Sequence, residues 1–399
     1  MNIVLDAIQE IKSTSLAKSF SILMGNVSIL SVGMTKFGRL PSELPNLLLE
    51  AAEKAIGTIS QAEIDAIFVG SMNPDEFADV SSLPAFLADE LGLIPKPAVR
   101  IDNSSATGSA TLFQAYMGVK SGFFNTVLCV TGEKMTNVST AKAGRILARV
   151  LAAKERRLGL TMPALASLAC RAYMHRYNLS RDQLSHIPVK NHQNGLENPY
   201  AHFRKEITLE TVRNSRMIAD PLRLYDCSPM SDGAAAVVIS NKKGPVKISG
   251  IGSGTDHLAL QHRESFTSSK ATKNAARMAY EQSGLEPRNI DVAELHDAFS
   301  ILEIIASEDV GFFPPGKGAI AAEKGDTLIE GAMPINPSGG LKARGHPVGA
   351  TGLAQAIEIF WQLSNEADSR QIDGAKRGLT QNVGGFASNN LVTILEAVE

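Results

Sequence analysis

Apolar and polar residues alternate along NVSILSVGMTKFGR, which begins at Asn26. A period of two puts one face of an extended segment inward, so the run predicts a β-strand. The period then changes. Leu44, Leu47, Leu48, Ala51, Ala52 and Ala55 recur at three- and four-residue steps, the stripe of a helix with one buried side. EIDAIFVG, residues 63–70, returns to strand. The same order starts again at Val246: VKISGIGSG predicts a strand, ATKNAARMAYEQSG a helix stopped by Gly284, and NIDVAELHD a strand. Ile64-Asp65 and Ile290-Asp291 occupy the same place in the two passes.

A third pair of segments extends the repeat. VRIDNSSATGSATLFQAYMGVKSG runs from strand through a small-residue turn into a helix, and MPINPSGGLKARGHPVGATGLAQAIEIF does likewise, with Asn103 and Asn336 at the matching point. Both passes then come back to a strand near glycine, in VLCVTGEKM and GLTQNVGGFAS. The chain is expected to be two copies of one α/β unit with largely parallel sheets under helices. The halves are set at 26–240 and 241–399, after an N-terminal extension, 1–25, that carries a short helix. Residues 133–226 fit only the first copy and read as an inserted domain. It holds two helical stretches and a polar loop, KNHQNGLENPYAHFRKE.

Composition narrows the function classes. Over 399 residues the net charge is −2, with 20% charged and 44% apolar residues. No basic field recruits nucleic acid or an anionic membrane. No apolar run reaches the roughly 18 residues of a membrane span. Asp6 and Glu10 stand where a signal peptide would be basic, and Phe20 to Met24 is too short for its apolar core; a cytoplasmic setting is expected. Cys129, Cys170 and Cys227 lack metal-ligand spacing, and no metal or bound cofactor is expected. Cys129 and Cys170 read as buried strand and helix residues.

Four segments carry candidate chemistry. In NSSATGS, 103–109, a strand ends and a helix begins, so unpaired N–H groups and a positive dipole end would stabilise an anionic nucleophile or oxyanion; alone, the segment also fits an ordinary cap and turn. NPSGGLKARGHPVGATG, 336–352, has five glycines in seventeen positions and sets His346 before Pro347 in a rigid turn, as suits a general base. In ELHDAFS, 294–300, His296 and Asp297 face opposite ways on an extended strand; His296 is assigned to a pocket, and Asp297 to capping the helix that follows. In QNVGGFASNN, 381–390, Gly384 and Gly385 form a turn whose N–H groups could hold an oxyanion. A Ser-His-Asp hydrolase is not indicated, because no G-x-S-x-G elbow is present.

Together these segments resemble the thiolase family. Its signatures are Asn-x-x-Cys-x-Ser/Thr-Gly at the nucleophile, a Gly-Gly…Gly-His-Pro-x-Gly-x-Thr-Gly block, an Asn/His-Glu/Asp-Ala-Phe segment and a late glycine turn. DPLRLYDCSPMSDGAAAVV, from Asp220, is similar as well. The resemblance runs from about Val27 to Glu399, and the HDAF spelling is most similar to archaeal acetyl-CoA acetyltransferases and sterol-carrier-protein thiolases. It implies the thiolase fold: two βαβαβαββ halves in five layers, α-β-α-β-α. It implies acyl-coenzyme A thioesters as substrates and a homodimer or tetramer. It also implies a small partner protein with a zinc ribbon and an oligonucleotide-binding-type barrel. Catalytic positions map to Ser105, His346, His296 and Asn382, and substrate-binding positions to Asn336, Ser338, Gly339, Gly384 and Gly385.

Both thiols of the family mechanism are missing. Ser105 stands at the nucleophile, Asn382 where the late motif begins with Cys, and Ala298 where a related group keeps its acid/base Cys. A thiol ionises near neutral pH, whereas a serine hydroxyl needs a base in contact. Two functions remain open: an acyl-CoA acyltransferase of acetyl-CoA C-acetyltransferase type, altered or disabled at residue 105, and a non-thiolytic protein that binds acyl-CoA for a partner or makes and breaks carbon–carbon bonds. For assembly, the nearly uncharged strand NTVLCVTG, 125–132, is expected to pair with its own copy across a two-fold axis.

Overall fold

The computed structural model describes residues 25–398; the expected N-terminal extension, 1–25, with its short helix, lies outside the described residues except for Gly25. The strands are β1 (Ser28–Met34), β2 (Ala66–Gly70), β3 (Ala98–Ile101), β4 (Thr126–Lys134), β5 (Met217–Ala219), β6 (Leu222–Arg223), β7 (Asp232–Ser240), β8 (Val246–Thr255), β9 (Val292–Glu294), β10 (Arg377–Gly384) and β11 (Asn389–Ala397). Apart from the short β5–β6 pair, they form one ladder in the order β3-β2-β4-β7-β1-β8-β11-β10-β9.

The repeat is visible in this order. β1, β2, β4 and β7 of the first half correspond to β8, β9, β10 and β11 of the second. Ile335, bridged in parallel to Ala293, stands in for β3. Within the ladder the two half-sheets join where Ser28 and Ile29 pair with Lys247 and Val246 and the Ile248 N–H donates to the Val27 carbonyl. The repeated Ile-Asp pairs have a common job. Asp65 accepts the N–H groups of Asn125 and Thr126 at the start of β4, and Asp291 accepts those of Lys376 and Arg377 at the start of β10.

Packing gives the five expected layers. Helices Thr107–Lys120 and Thr351–Ser364, here the central helices, lie between the half-sheets. Their core joins Leu112 and Val119 to Leu353 and Ile357, and reaches both sheets through Val127, Val237, Ile248 and Ile251. Helix Leu44–Ile56 covers the outside of the first half through the leucine and alanine stripe named above. Helix Lys270–Ser283 covers the outside of the second. The central helices cross at two glycines: a Cβ on Gly108 would lie 2.7 Å from the backbone nitrogens of Gly352 and Leu353. Glycine at both positions is therefore what lets the halves close.

Three expectations are corrected. The sheet is mixed, not largely parallel. β2–β3, β2–β4 and β9–β10 are parallel, but β1, β7, β8 and β11 pair antiparallel, because each half ends on a returning strand. Residues 190–196, expected in a loop, complete the helix Arg181–Leu196. Their polar side chains are buried against distant partners: Lys190 donates to the Ile335 carbonyl, and Asn191 to Asp297 and Glu303. Finally, β4 has both edges filled, by β2 and β7, so no edge remains for a second copy. The absence of charge along its residues 126–132 reflects burial on both faces. The unpaired edge of the first half is β3, where Val99 is 45% exposed.

Between β4 and β7 the chain builds the inserted region. Its helices Met162–Tyr177 and Arg181–Leu196 pack through Leu165, Cys170, Tyr173 and Leu184 onto Ile301 and Ile304 of the second half. This packing roofs the space above the N-terminal ends of the central helices.

Candidate active site

Ser105 sits two residues before the first central helix, whose first residue is Thr107. The turn is held locally. Asp102 accepts the N–H of Ser104, and the Thr107 hydroxyl accepts the N–H of Asn103 while donating to the Ser104 carbonyl. Ser104 takes a left-handed conformation, φ 53°. Ser105 is 8% exposed, opening onto a cavity of about 240 Å³ shared with His296 and His346. Most of the remaining wall is apolar, including Met72, Met135, Val150, Met162, Leu302 and Phe386.

The two histidines come from the second half. Their rings meet edge to face, centroids 5.1 Å apart at 87°. His346 follows Gly345, whose φ of +110° only glycine adopts easily. Its Nδ1 lies 2.7 Å from the Thr351 hydroxyl, and that hydroxyl donates its single proton to the Pro347 carbonyl at 3.0 Å. Nδ1 therefore carries the imidazole proton, and Nε2 is bare. Burial, with the Arg344 charge adding to it, pushes the His346 pKa down to about 3, so a neutral ring with a free lone pair prevails near neutrality.

His296 has the opposite arrangement. The Asn382 Nδ2, which can only donate, lies 3.0 Å from His296 Nδ1. Nδ1 is the acceptor, and Nε2 carries the proton. Burial first, then the nearby His346 and Arg344, hold this ring's pKa well below the ordinary value. One histidine thus offers a base and the other a neutral donor, the pair that acyl chemistry at a carbonyl requires.

The floor of the site is polar and buried. Arg344 pairs with Glu294 at 3.0 Å, both side chains fully buried, and Ser338 donates its hydroxyl to the same carboxylate. Burial holds the Glu294 carboxyl above the usual carboxylate range, against the Arg344 charge. Glu133 accepts the N–H groups of Met72 and Asn73 and the Ser71 hydroxyl, fixing the loop that puts Met72 in the wall; burial raises it to about 7.

Several assignments change. Asn336, Ser338 and Gly339 do not line the cavity. Asn336 is fully buried, bonded to Glu303 and the Leu295 N–H; Ser338 serves Glu294; and Gly339, at φ +94°, packs on Gly195. Their side chains and turn build the bed beneath the histidines and have no face left for substrate. Gly384 packs under the Ser105 turn, where a Cβ would come 2.7 Å from the Asn103 carbonyl oxygen, while Gly385 reaches the cavity. Asp297 does turn away from His296, but it caps a different helix from the one expected. It accepts the N–H groups of Leu341 and Lys342 in the turn Gly340–Ala343, because that turn begins directly against its carboxylate. Thr351, which sets the His346 tautomer, was missed, although its spacing of five from His346 at a helix start is a readable signal. Cys227 also lines the cavity, with its thiol pushed by burial up to about 12. Among the described residues no cluster of metal-ligating side chains occurs, and no helix is long and apolar enough to cross a membrane.

A duplicated five-layer α/β fold with an acyl-chemistry site at the crossing of its central helices defines the thiolase class. The comparison with known families agrees. Residues 27–243 match the thiolase N-terminal domain, and residues 252–397 the thiolase C-terminal domain-like family. The chain belongs to the thiolase family. It is 42% identical over 383 residues to an acetyl-CoA acetyltransferase of Methanothermobacter thermautotrophicus, covering 93% of this chain and 99% of that protein. It is 34% identical over 395 residues to sterol carrier protein 2 of Bos taurus, covering 93% and 72%. Among solved structures it resembles the Ltp2-ChsH2(DUF35) aldolase, with a TM-score of 0.81, 24% identity and coverage of 94% and 99%. It also resembles human mitochondrial 3-ketoacyl-CoA thiolase, at 0.71, 17%, and coverage of 94% and 100%. These two likenesses concern the fold.

Proposed function

We propose that this chain is an acyl-CoA acyltransferase of acetyl-CoA C-acetyltransferase type, acting through Ser105, His346 and His296. The observation that carries the reading is the convergence of a bare imidazole nitrogen, an imidazole N–H and a hydroxyl on one apolar cavity. His346 Nε2 would take the Ser105 proton as Oγ bonds to the thioester carbon. The carbon–sulfur bond then breaks, and the coenzyme A thiolate leaves with that proton. His296 Nε2–H would hold the oxyanion meanwhile. Neutral again, His346 Nε2 would take the Cα proton of a second acyl-CoA. The resulting carbanion attacks the ester carbonyl, the new carbon–carbon bond forms as the bond to Ser105 Oγ breaks, and His346 returns the proton to Oγ. The reading includes a cytoplasmic homodimer or tetramer and a small partner protein, as the two-component name of the Ltp2-ChsH2(DUF35) aldolase describes for that protein.

Incubation with acetyl-CoA, acid quench and peptide mass mapping tests it. An acetyl ester on the Ser105 peptide is expected, absent from Ser105→Ala and His346→Gln.

A second reading is favoured by the missing thiols at 105, 298 and 382 and by His346 being the one bare imidazole nitrogen of the pair. Here a 3-hydroxyacyl-CoA loses its hydroxyl proton to His346 and its Cα–Cβ bond breaks. An aldehyde or ketone leaves, and the thioester enolate rests on His296 Nε2–H until His346 returns the proton to Cα. No ester forms. Turnover of a 3-hydroxyacyl-CoA without acylation of Ser105 would select this reading.

A further inference from the structure

We infer that Asn382 is a positioning residue that fixes His296 as a hydrogen-bond donor toward the cavity. The thiolase pattern has a cysteine here, and a cysteine could exchange protons with substrate. An amide cannot, and Asn382 is fully buried. Its Nδ2 reaches His296 Nδ1 at 3.0 Å. An amide nitrogen donates and never accepts, so the contact is satisfied only when Nδ1 holds its lone pair and the ring proton sits on Nε2.

The surroundings leave His296 little choice of position. Its backbone N–H is held by Gln381 Oε1 at 3.1 Å. Gln381 is held in turn, its Nε2 donating to Asn390 Oδ1 at 2.8 Å. Residue 382 lies within β10, paired with Leu391 of β11, so its backbone is fixed from the other side. Its Oδ1 has no hydrogen-bond partner. That atom lies against Gly352, where an added Cβ would be 2.6 Å from it.

The consequence is an asymmetric pair. Thr351 gives His346 a bare Nε2, and Asn382 gives His296 a protonated one. Were both rings to present lone pairs, a carbonyl oxygen between them would meet no donor. Residue 382 thus changes from a proton carrier in the family pattern to a fixed dipole here, with the proton-transfer role left to His346.

The test is the nitrogen-15 spectrum of histidine-labelled protein, with His296 assigned by its loss in His296→Gln. In the unaltered protein at neutral pH, His296 Nδ1 is expected in the unprotonated range and Nε2 in the protonated range. Asn382→Asp presents only acceptors, so Nδ1 is expected to move into the protonated range. Asn382→Leu removes the partner, and the two nitrogens are expected to shift toward intermediate, tautomer-averaged values. A protonated Nδ1 in the unaltered protein overturns the inference, as does a His296 spectrum unchanged by both substitutions. The unaltered protein supplies the first outcome even if a variant fails to fold. No turnover is measured, so this result stands apart from the acyl-transfer reading.

Discussion

Replacing Gly352 with alanine sets two effects of similar size against each other. Gly352 lies in the first turn of the second central helix, and glycine in a helix interior costs about 1 kcal/mol relative to alanine; propensity alone favours the change. The structure opposes it. The new Cβ would lie 2.2 Å from the Ser109 backbone nitrogen, 2.5 Å from its hydroxyl and 2.6 Å from Asn382 Oδ1. Carbon contacts settle at roughly 3.5–4.0 Å, so the helices must part by about 1 Å. The nearest obstacle is backbone, which cannot rotate away. Overpacking of this kind costs about 1–3 kcal/mol, occasionally more, so the upper part of that range outweighs the propensity gain, for a net loss of about 1–2 kcal/mol. Gly144 is the control. It lies within helix Thr140–Leu147, exposed, and a Cβ there meets nothing within 4 Å, so Gly144→Ala is expected to gain up to about 1 kcal/mol. Urea denaturation with unchanged m values reads both. A Gly352→Ala protein as stable as the unaltered one would show that the central helices are not closed on their glycines.

Other predictions follow from the same geometry. His346 is neutral when folded, its pKa pushed down to about 3, and returns to about 6.5 when unfolded. The unfolded chain therefore takes up the extra proton as pH falls below about 6.5, and the stability from the neutral ring is lost progressively down toward the folded value. Relative to His346→Gln, the unaltered protein should lose about 2 kcal/mol between pH 7.5 and pH 5; parallel stability curves would contradict this. Arg344→Met strands the Glu294 carboxylate in a fully buried site, at an expected cost of about 3–5 kcal/mol, and Glu294→Gln made with it should recover part of the loss in thermal denaturation. For assembly, the proposed two-fold partner would have the open edge of β3 to pair with, and light scattering should give about twice or four times the 42.5 kDa chain mass. A clean monomer mass would remove the dimer.

Much of the fold could be read from periodicity because the repeat is carried by local features. The stripe from Leu44 to Ala55 needs only its own helix, and the Ile-Asp pairs at 64–65 and 290–291 repeat in the letters themselves, although the strand starts that Asp65 and Asp291 cap lie 60 and 85 residues later. What sequence could not supply were features made by distant partners. Lys190 and Asn191 look like loop residues until Ile335, Asp297 and Glu303 arrive from more than a hundred positions away. Residues 126–132 of β4 carry no charge whether the strand meets a twin or two neighbours of its own chain; only the ladder distinguishes these. The site was legible where glycine and histidine constrain the backbone, at Ser105, His296 and His346. It was not legible at Asn336 and Ser338, whose polar side chains suit substrate or a buried network equally well. Nor could the order of letters reveal tautomers, which depend on whether Thr351 or Asn382 stands beside each ring.

The central claim is that residue 105 is the acyl-accepting position of an otherwise assembled site. Thiolysis of acetoacetyl-CoA by Ser105→Cys tests it most directly, because a helix-start thiolate beside a neutral base needs no further activation. Consumption of acetoacetyl-CoA that depends on added coenzyme A is expected, with an acyl thioester on residue 105 recoverable after quench. A Ser105→Cys protein that binds acetoacetyl-CoA yet neither consumes it nor acquires that thioester would show that residue 105 is not the acyl-accepting position.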